Sequence, residues 1–406
     1  MMVLEGPGAP AYLTAMALEL WRFGAKSHLS AGGFGYLDQA GQIDQTMGRP
    51  LWITCRMTHC FALATLMDQP GAAALTDHGL AALAGPFADQ TNGGWYATLN
   101  ADASPASPTK QAYGHAFVVL AAASAALAGR PGAHDLLDQA LTVVDRRFWE
   151  GCPQAMADQA SEDFSQLEFY RGANANMHTV EAFSAAAQAT GDQEWNRRAL
   201  TMCQLIIDHH ARANHWRIPE HYHPDWSVDL DYNQRTPAHQ FRPYGATPGH
   251  GFEWARLLVQ LQAHLGEAAP AWLGQAAAAL YDRAVADGWE AEPMPGFAYT
   301  TDWEGSVVLR ERLHWVMAEA TAAAAVLYKA TGQQRYLADY QRWWQVIDSH
   351  FIDRAEGSWF HELSPSGQPS ATVWPGKPDI YHALQACLIP QMPISSAVAA
   401  GLLASR

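Results

Sequence analysis

Six stretches of the chain run from a short polar cluster straight into an alanine-rich apolar segment. The clusters start near Arg56, Tyr113, His178, His250, His314 and His382, at intervals of 57, 65, 72, 64 and 68 residues. A spacing this regular, with room for a helical hairpin and a loop in each interval, predicts a six-fold repeat. The apolar segments, for example Phe117 to Ala128 and Thr321 to Leu327, are apolar on nearly every side, as helices covered all round must be. Between them lie six amphipathic patterns: Ala9 to Phe23, Ala72 to Leu83, His134 to Phe148, Gln193 to Ile207, Ala271 to Asp287 and Gln334 to Phe351. Their apolar residues recur at three and four with charge opposite, as with Asp135, Asp138, Asp145 and Arg146. The first set reads as an inner layer and the second as an outer one.

The connections carry glycine beside aromatic residues: Gly33-Phe34-Gly35-Tyr36, Gly93-Gly94-Trp95-Tyr96, Gly296-Phe297-Ala298-Tyr299 and Gly357-Ser358-Trp359-Phe360. Turn glycines with alternating aromatics predict short β-hairpins at the end where the polar clusters lie. The expected fold is all-α, an (α/α)6 barrel of six inner and six outer helices with β-hairpins at the pocket rim. Residues 1–406 read as a single catalytic domain, since no low-complexity linker divides them. The pocket belongs at the N-terminal starts of the inner helices, where one site would draw on all six units.

Composition narrows the partners. With 49% hydrophobic and 16% charged residues the chain can bury a large core. A formal net charge of -15 repels phosphate backbones, so nucleic acid is not an expected partner. Five scattered cysteines without paired-ligand spacing fit reduced thiols in a cytoplasm. The start, Met1-Met2-Val3-Leu4-Glu5-Gly6-Pro7, lacks a basic region before an apolar run, and no segment reaches the length of a membrane span. A cytoplasmic protein without a membrane partner is expected.

Three clusters share a spacing: His178-x-x-Glu181, His250-x-x-Glu253 and His382-x-x-Gln385. Residues three apart share a helical face, so each pair can set an imidazole beside a carboxylate or amide. His250 stands between Gly249 and Gly251 at a helix start, where the backbone can approach a ligand; capping, with Glu253 complementing the dipole, is the alternative. His382 follows Pro378-Asp379, a good helix entry, and falls in the first turn; bonding to a loop carbonyl is its alternative. Arg56, among apolar residues, needs either a structural carboxylate or a polyhydroxylated ligand. Asn174 and His178 lie one turn apart and can grip neighbouring hydroxyls, while His314-Trp315 with Glu319 adds an aromatic surface and a carboxylate. Sixteen tryptophans, several beside these clusters, suit stacking on the C–H face of a sugar. The His-x-x-Glu pairs lack the density of zinc signatures, and no metal is expected; His221 and His223 read as rim polar groups. No phosphate-cradling loop, dinucleotide fingerprint or nucleophile elbow occurs.

Arg56-Met57-Thr58-His59, Asn174-x3-His178, Gly249-His250-Gly251-Phe252-Glu253-Trp254, His314-Trp315 with Glu319, and Lys377-Pro378-Asp379-Ile380-Tyr381-His382-Ala383-Leu384-Gln385 together resemble the N-acylglucosamine 2-epimerase superfamily, over nearly the whole chain. Within it they are similar to the aldose–ketose isomerase branch acting on mannose or sulfoquinovose, because the epimerases carry Trp-Trp where this chain has His314-Trp315. The resemblance implies an (α/α)6 barrel, no nicotinamide cofactor, and proton movement at C2 of a monosaccharide through a cis-enediol. It implies that His250 and His382 are the acid/base pair and that Glu253 orients His250. It also implies that Arg56, Asn174, His178, Arg242, Trp315 and Glu319, with Tyr113 and Trp52 on the wall, bind hydroxyls or polarise the carbonyl. Pro378 has no N–H to offer a sulfonate, which favours a neutral hexose and the interconversion of mannose and fructose. A sugar 2-epimerase, an inverting glycoside hydrolase using Glu253, Glu319 or Asp302, and a non-catalytic sugar-binding protein are the competing readings.

Overall fold

The structure is a computed structural model describing residues 5–406. Twelve helices alternate between two concentric layers. The outer ones are α1 (Pro10–Gly24), α3 (Ala72–Ala84), α5 (Ala133–Arg147), α7 (Glu194–Cys203), α9 (Trp272–Gly288) and α11 (Gln334–Val346). The inner ones are α2 (Leu51–Leu66), α4 (Ala112–Leu127), α6 (Ala173–Thr190), α8 (Pro248–Leu265), α10 (His314–Thr331) and α12 (Tyr381–Leu388). Helices α7 and α11 run on through wider π-type turns over Gln204–Ala211 and Ile347–Phe351, so the outer layer reaches as far as the sequence pattern does. Alanine lets the inner helices approach closely: in α4, residues from Ala116 to Ala126 are all buried. Outer helices bury one stripe, as in α5, where Leu136, Leu137, Ala140, Leu141 and Val144 face inward. A thirteenth helix, α13 (Val398–Ala404), packs on α2, α4 and α6. The repeat did not predict it.

The ring closes through a hydrogen bond repeated around the rim. The N–H at or just before the start of each inner helix donates to a carbonyl in the next unit: Leu51 to Ala97, Ala112 to Asp158, Ala173 to Glu220, Ala246 to Thr301, His314 to His361 and, across the seam, Lys377 to Leu37. Four of these bonds sit beside two-residue antiparallel pairs, such as Arg171–Gly172 with His221–Tyr222. The glycine–aromatic segments form the expected hairpins, with Phe34 bridged to His28, Trp95 to Ala88, Gly296–Phe297 to Trp289–Glu290, and Trp359 to Ile352. At each inner-helix entry in four units a basic side chain clasps an acid of its own hairpin: Lys110 to Asp89 (2.7 Å), Arg171 to Glu150, Arg312 to Glu290, and Lys377 to Asp353. These clasps fix where the inner helices begin, and so where their first side chains point. The sequence reading did not find them.

Candidate active site

The inner-helix starts enclose a cavity lined by Arg56, Tyr113, Asn174, His178, His250, Glu253, Trp315 and His382, all residues that the sequence singled out. Trp315 lies between the two histidines, its ring centroid 5.3 Å from that of His250 and 5.7 Å from that of His382, tilted 38° to each. Gly249 makes this possible, since a Cβ there would come within 2.3 Å of the Trp315 ring. The same at Gly251 would press on Ala284 of α9 at 3.0 Å. The glycines beside His250 therefore admit an indole and a neighbouring helix, not a ligand.

Each histidine is held by a carboxylate behind it. His382 Nδ1 lies 2.8 Å from Glu319 Oε1, and His250 Nδ1 lies 2.9 Å from both oxygens of Glu220. An ionised carboxylate only accepts, so each Nδ1 carries its hydrogen and leaves Nε2 for the cavity. This corrects two expectations. Glu253 does not orient His250: three residues further along α8 it sits about 4.5 Å deeper, level with His178 of the next helix, whose Nδ1 is 3.8 Å from Glu253 Oε1. Glu220 reaches His250 instead, because the rim bond from Ala173 N–H to its carbonyl places it level with the imidazole. Glu319 does not line the cavity as a hydroxyl binder but stands behind His382, where Arg256 Nε donates to its other oxygen at 2.8 Å.

The two pairs differ in charge. Glu319 shares its charge with Arg256, whereas Glu220 meets no arginine or lysine within ion-pair distance among the described residues. Burial pushes the His382 pKa well below its ordinary value, reinforced by Arg56, and pushes that of His178 down to about 4. Burial among Glu319 and Glu181 raises Glu253 well above the usual carboxylate range. Of Glu253 and Glu319 it is Glu253 that keeps a proton, since its Oε1 has no hydrogen-bond partner while Glu319 has two donors.

Arg56 resolves in favour of the ion pair, though it still faces the cavity. Its Nη1 donates to Asp379 Oδ2 at 3.1 Å and its Nη2 to the Tyr113 hydroxyl at 2.9 Å, with the Trp52, Phe117 and Tyr381 rings packed around the guanidinium. Tyr113 accepts from Arg56, so its own O–H is free for the cavity. Arg242 is not available to substrate as expected. Its guanidinium lies over Tyr170 and is committed to both oxygens of Glu168 (2.9 and 2.8 Å) and to Asp158 (2.9 Å), in a second, outer chamber. Trp52 also belongs to that chamber. His314 turns away from the cavity and stacks on His361 at 3.7 Å, leaving Trp315 as the contribution of α10.

The segment before α8 covers the cavity and was not foreseen. Gln240, Phe241 and Pro243 form its roof, with Phe241 edge-on to Trp52, Tyr113 and Trp374. Three ties hold the segment down: His221 Nε2 to Pro243 O (2.7 Å), Tyr299 O–H to His239 O (3.1 Å) and Trp303 Nε1 to Leu230 O (2.8 Å). His221 is thus a structural tie, in line with its reading as a rim group.

Donor atoms of His178, Glu181 and Glu253, and of Glu253, Glu319 and His382, converge closely enough to hold a cation. The Arg256 guanidinium already faces these carboxylates, 2.8 Å from Glu319, 3.5 Å from Glu253 and 4.0 Å from Glu181. Its positive charge stands where a metal's would, and the residues do not fit a metal centre.

The profile of the family described as N-acylglucosamine 2-epimerase (GlcNAc 2-epimerase) matches residues 32–386. A D-mannose isomerase of Thermobifida fusca is 47% identical over 393 residues, covering 97% of this chain and 96% of that protein. One from Pseudomonas cannabina pv. alisalensis is 45% identical over 399 residues, with the same coverage. A crystal structure of a D-mannose isomerase superposes with a TM-score of 0.90 at 29% identity, covering 95% of this chain and 99% of that one. With its (α/α)6 barrel and paired imidazoles, the chain belongs to the N-acylglucosamine 2-epimerase family, a family of isomerases and epimerases.

Proposed function

We propose that the protein is an aldose–ketose isomerase that interconverts D-mannose and D-fructose. One observation carries the reading: two imidazoles, each backed by a carboxylate, flank one indole and turn Nε2 into one cavity. After ring opening, neutral His382 takes the C2 proton of the aldose and returns it to C1, because burial, reinforced by Arg56, holds it in its basic form. His250, oriented through Nδ1 by Glu220, moves a proton between O1, O2 and the ring oxygen. Tyr113 O–H, His178 and Arg56 face the enediolate oxygens. The identity to proteins named D-mannose isomerase supports mannose as the aldose. So does the commitment of Arg56 and Arg242, the arginines that line the two chambers, to carboxylates that already neutralise them.

Arg256 among the floor carboxylates supports chemistry that needs no metal. The continuous ring of rim bonds supports one catalytic unit over the chain. Unpaired thiols at all five cysteines support a cytoplasmic setting, and none of the described helices is long and apolar enough to cross a membrane. An inverting hydrolase needs carboxylates about 6.5–9.5 Å apart. Glu253 and Glu319 offer oxygens within 4.8 Å of each other, and Asp302 is spent on the N–H groups of Glu304 and Ser306. Proton NMR of EDTA-treated protein with D-mannose in heavy water tests the proposal. Fructose should appear, with deuterium at C1 to the extent that the proton held by His382 exchanges with solvent before it returns, whereas glucose as the first product would make it an epimerase, and no turnover would overturn the reading.

A further inference from the structure

The catalytic cavity and the chamber outside it differ greatly in size. Beneath Phe241 the cavity has about 30 Å³, room for a water or two, whereas the outer chamber has about 520 Å³, within the range of small-molecule sites. Tyr113, Asn174 and Phe241 belong to both, so the chambers share a wall and the outer one lies on the way in. Its lining has the chemistry of a sugar site. Half-buried rings of Trp52, Tyr232 and Phe241 supply apolar faces for pyranose C–H groups. The amides of Gln111, Gln159 and Asn174 supply donors and acceptors, and the side chains of the first two, on paired strand residues, meet through a long 3.5 Å hydrogen bond that leaves most of their capacity free. The one guanidinium in the chamber's lining, Arg242, is already clamped by the two carboxylates of Asp158 and Glu168, so no cation is left free there to draw an anion, and this favours a neutral ligand.

We propose that the outer chamber is a second binding site, which holds an intact neutral pyranose while the catalytic cavity is closed. The proposal rests on the sugar reading of the cavity, but it concerns a place where no chemistry occurs. Its occupant is either the incoming aldose or the ketose product in ring form, which present the same hydroxyls and C–H face.

Methyl α-D-mannopyranoside is the probe, because its ring cannot open. Calorimetric titration of the full chain should show it binding both alone and in the presence of saturating D-mannitol, an open-chain hexitol that mimics the ring-opened substrate. Gln159→Ala and Tyr232→Ala should each weaken that binding roughly tenfold, as expected for one lost hydrogen bond or stacking face, and leave mannitol affinity unchanged. Titrations with D-fructose and D-mannose on a His382→Asn background separate the two natural occupants. Failure of the pyranoside to bind, or its full displacement by mannitol with no response to either substitution, overturns the proposal. Pyranoside binding that persists in a protein unable to turn over mannose would overturn the isomerase reading and leave the second site standing.

Discussion

Glu220 takes the place beside His250 that the i, i+3 spacing and the family resemblance give to Glu253, and single substitutions separate the two. Glu220→Gln keeps a hydrogen-bond acceptor for His250 Nδ1 but removes the charge that stabilises an imidazolium. It should lower kcat by about 10²-fold or more. Glu253 carries a proton, so Glu253→Gln replaces one neutral side chain by another of similar shape and should stay within about tenfold of the parent. The reverse order in steady-state kinetics would restore the i, i+3 assignment. Gly249→Ala tests the seat of Trp315: a methyl 2.3 Å from the indole forces it out of the gap between His250 and His382. Activity should fall more steeply than stability, for which overpacking costs ~1–3 kcal/mol. Glu220 was hidden from helix-face reasoning because it lies on the rim, 30 residues before its partner. Its signal is in the repeat register. The carbonyl position that receives each inner helix's N–H is occupied by Asp158, Glu220 and His361 in three units, and each of these side chains grips a residue of its neighbourhood.

At the scale of elements, the helices were legible and the rim was only partly so. Outer and inner helices fall within a few residues of their apolar patterns, because burial on one stripe or all round leaves a period in the sequence. Two-residue strands paired with partners in the next unit leave none. Nor does α13, seven residues long and outside the repeat, announce itself. The hairpin clasps are tests of what holds the rim. Lys110 and Asp89 are wholly buried, and Asp89 also takes the N–H groups of Thr91 and Asn92. Lys110→Met leaves a buried carboxylate without its cation and should cost ~3–5 kcal/mol in urea unfolding. Adding Asp89→Asn should recover part of that loss, since the remaining bonds to Thr91 and Asn92 need only an acceptor. A double variant less stable than Lys110→Met alone would show that the carboxylate works chiefly through those N–H groups.

For the whole molecule, the barrel interior stores histidines in neutral form, and this sets how the fold responds to acid. Burial pushes the pKa values of His59, His178 and His314 down to about 4, and that of His115 to about 3. The bonding agrees for His115, whose Nδ1 lies 2.7 Å from the Gln111 carbonyl while Nε2 accepts the Trp95 N–H, so that a second proton has nowhere to go. In the unfolded chain these rings titrate near 6.5. Between that pH and about 4 the unfolded state binds protons that the native state does not, so stability is full above pH ~6.5 and declines as pH falls, by up to about 1.4 kcal/mol per pH unit for each such ring. Raised carboxylates such as Glu253, Glu319 and Asp158 work the other way, because the native state holds protons that the unfolded chain releases, but the lowered histidines, with His210, His361 and His382 added to these four, outnumber them. Urea unfolding at pH 7.5, 6.5, 5.5 and 4.5 should therefore show a midpoint that is flat at the first step and falls steeply over the last two. A midpoint unchanged down to pH 4.5 would mean that the inner-helix histidines reach water in the native state, and with it the premise that His382 is held in its basic form by burial would fail.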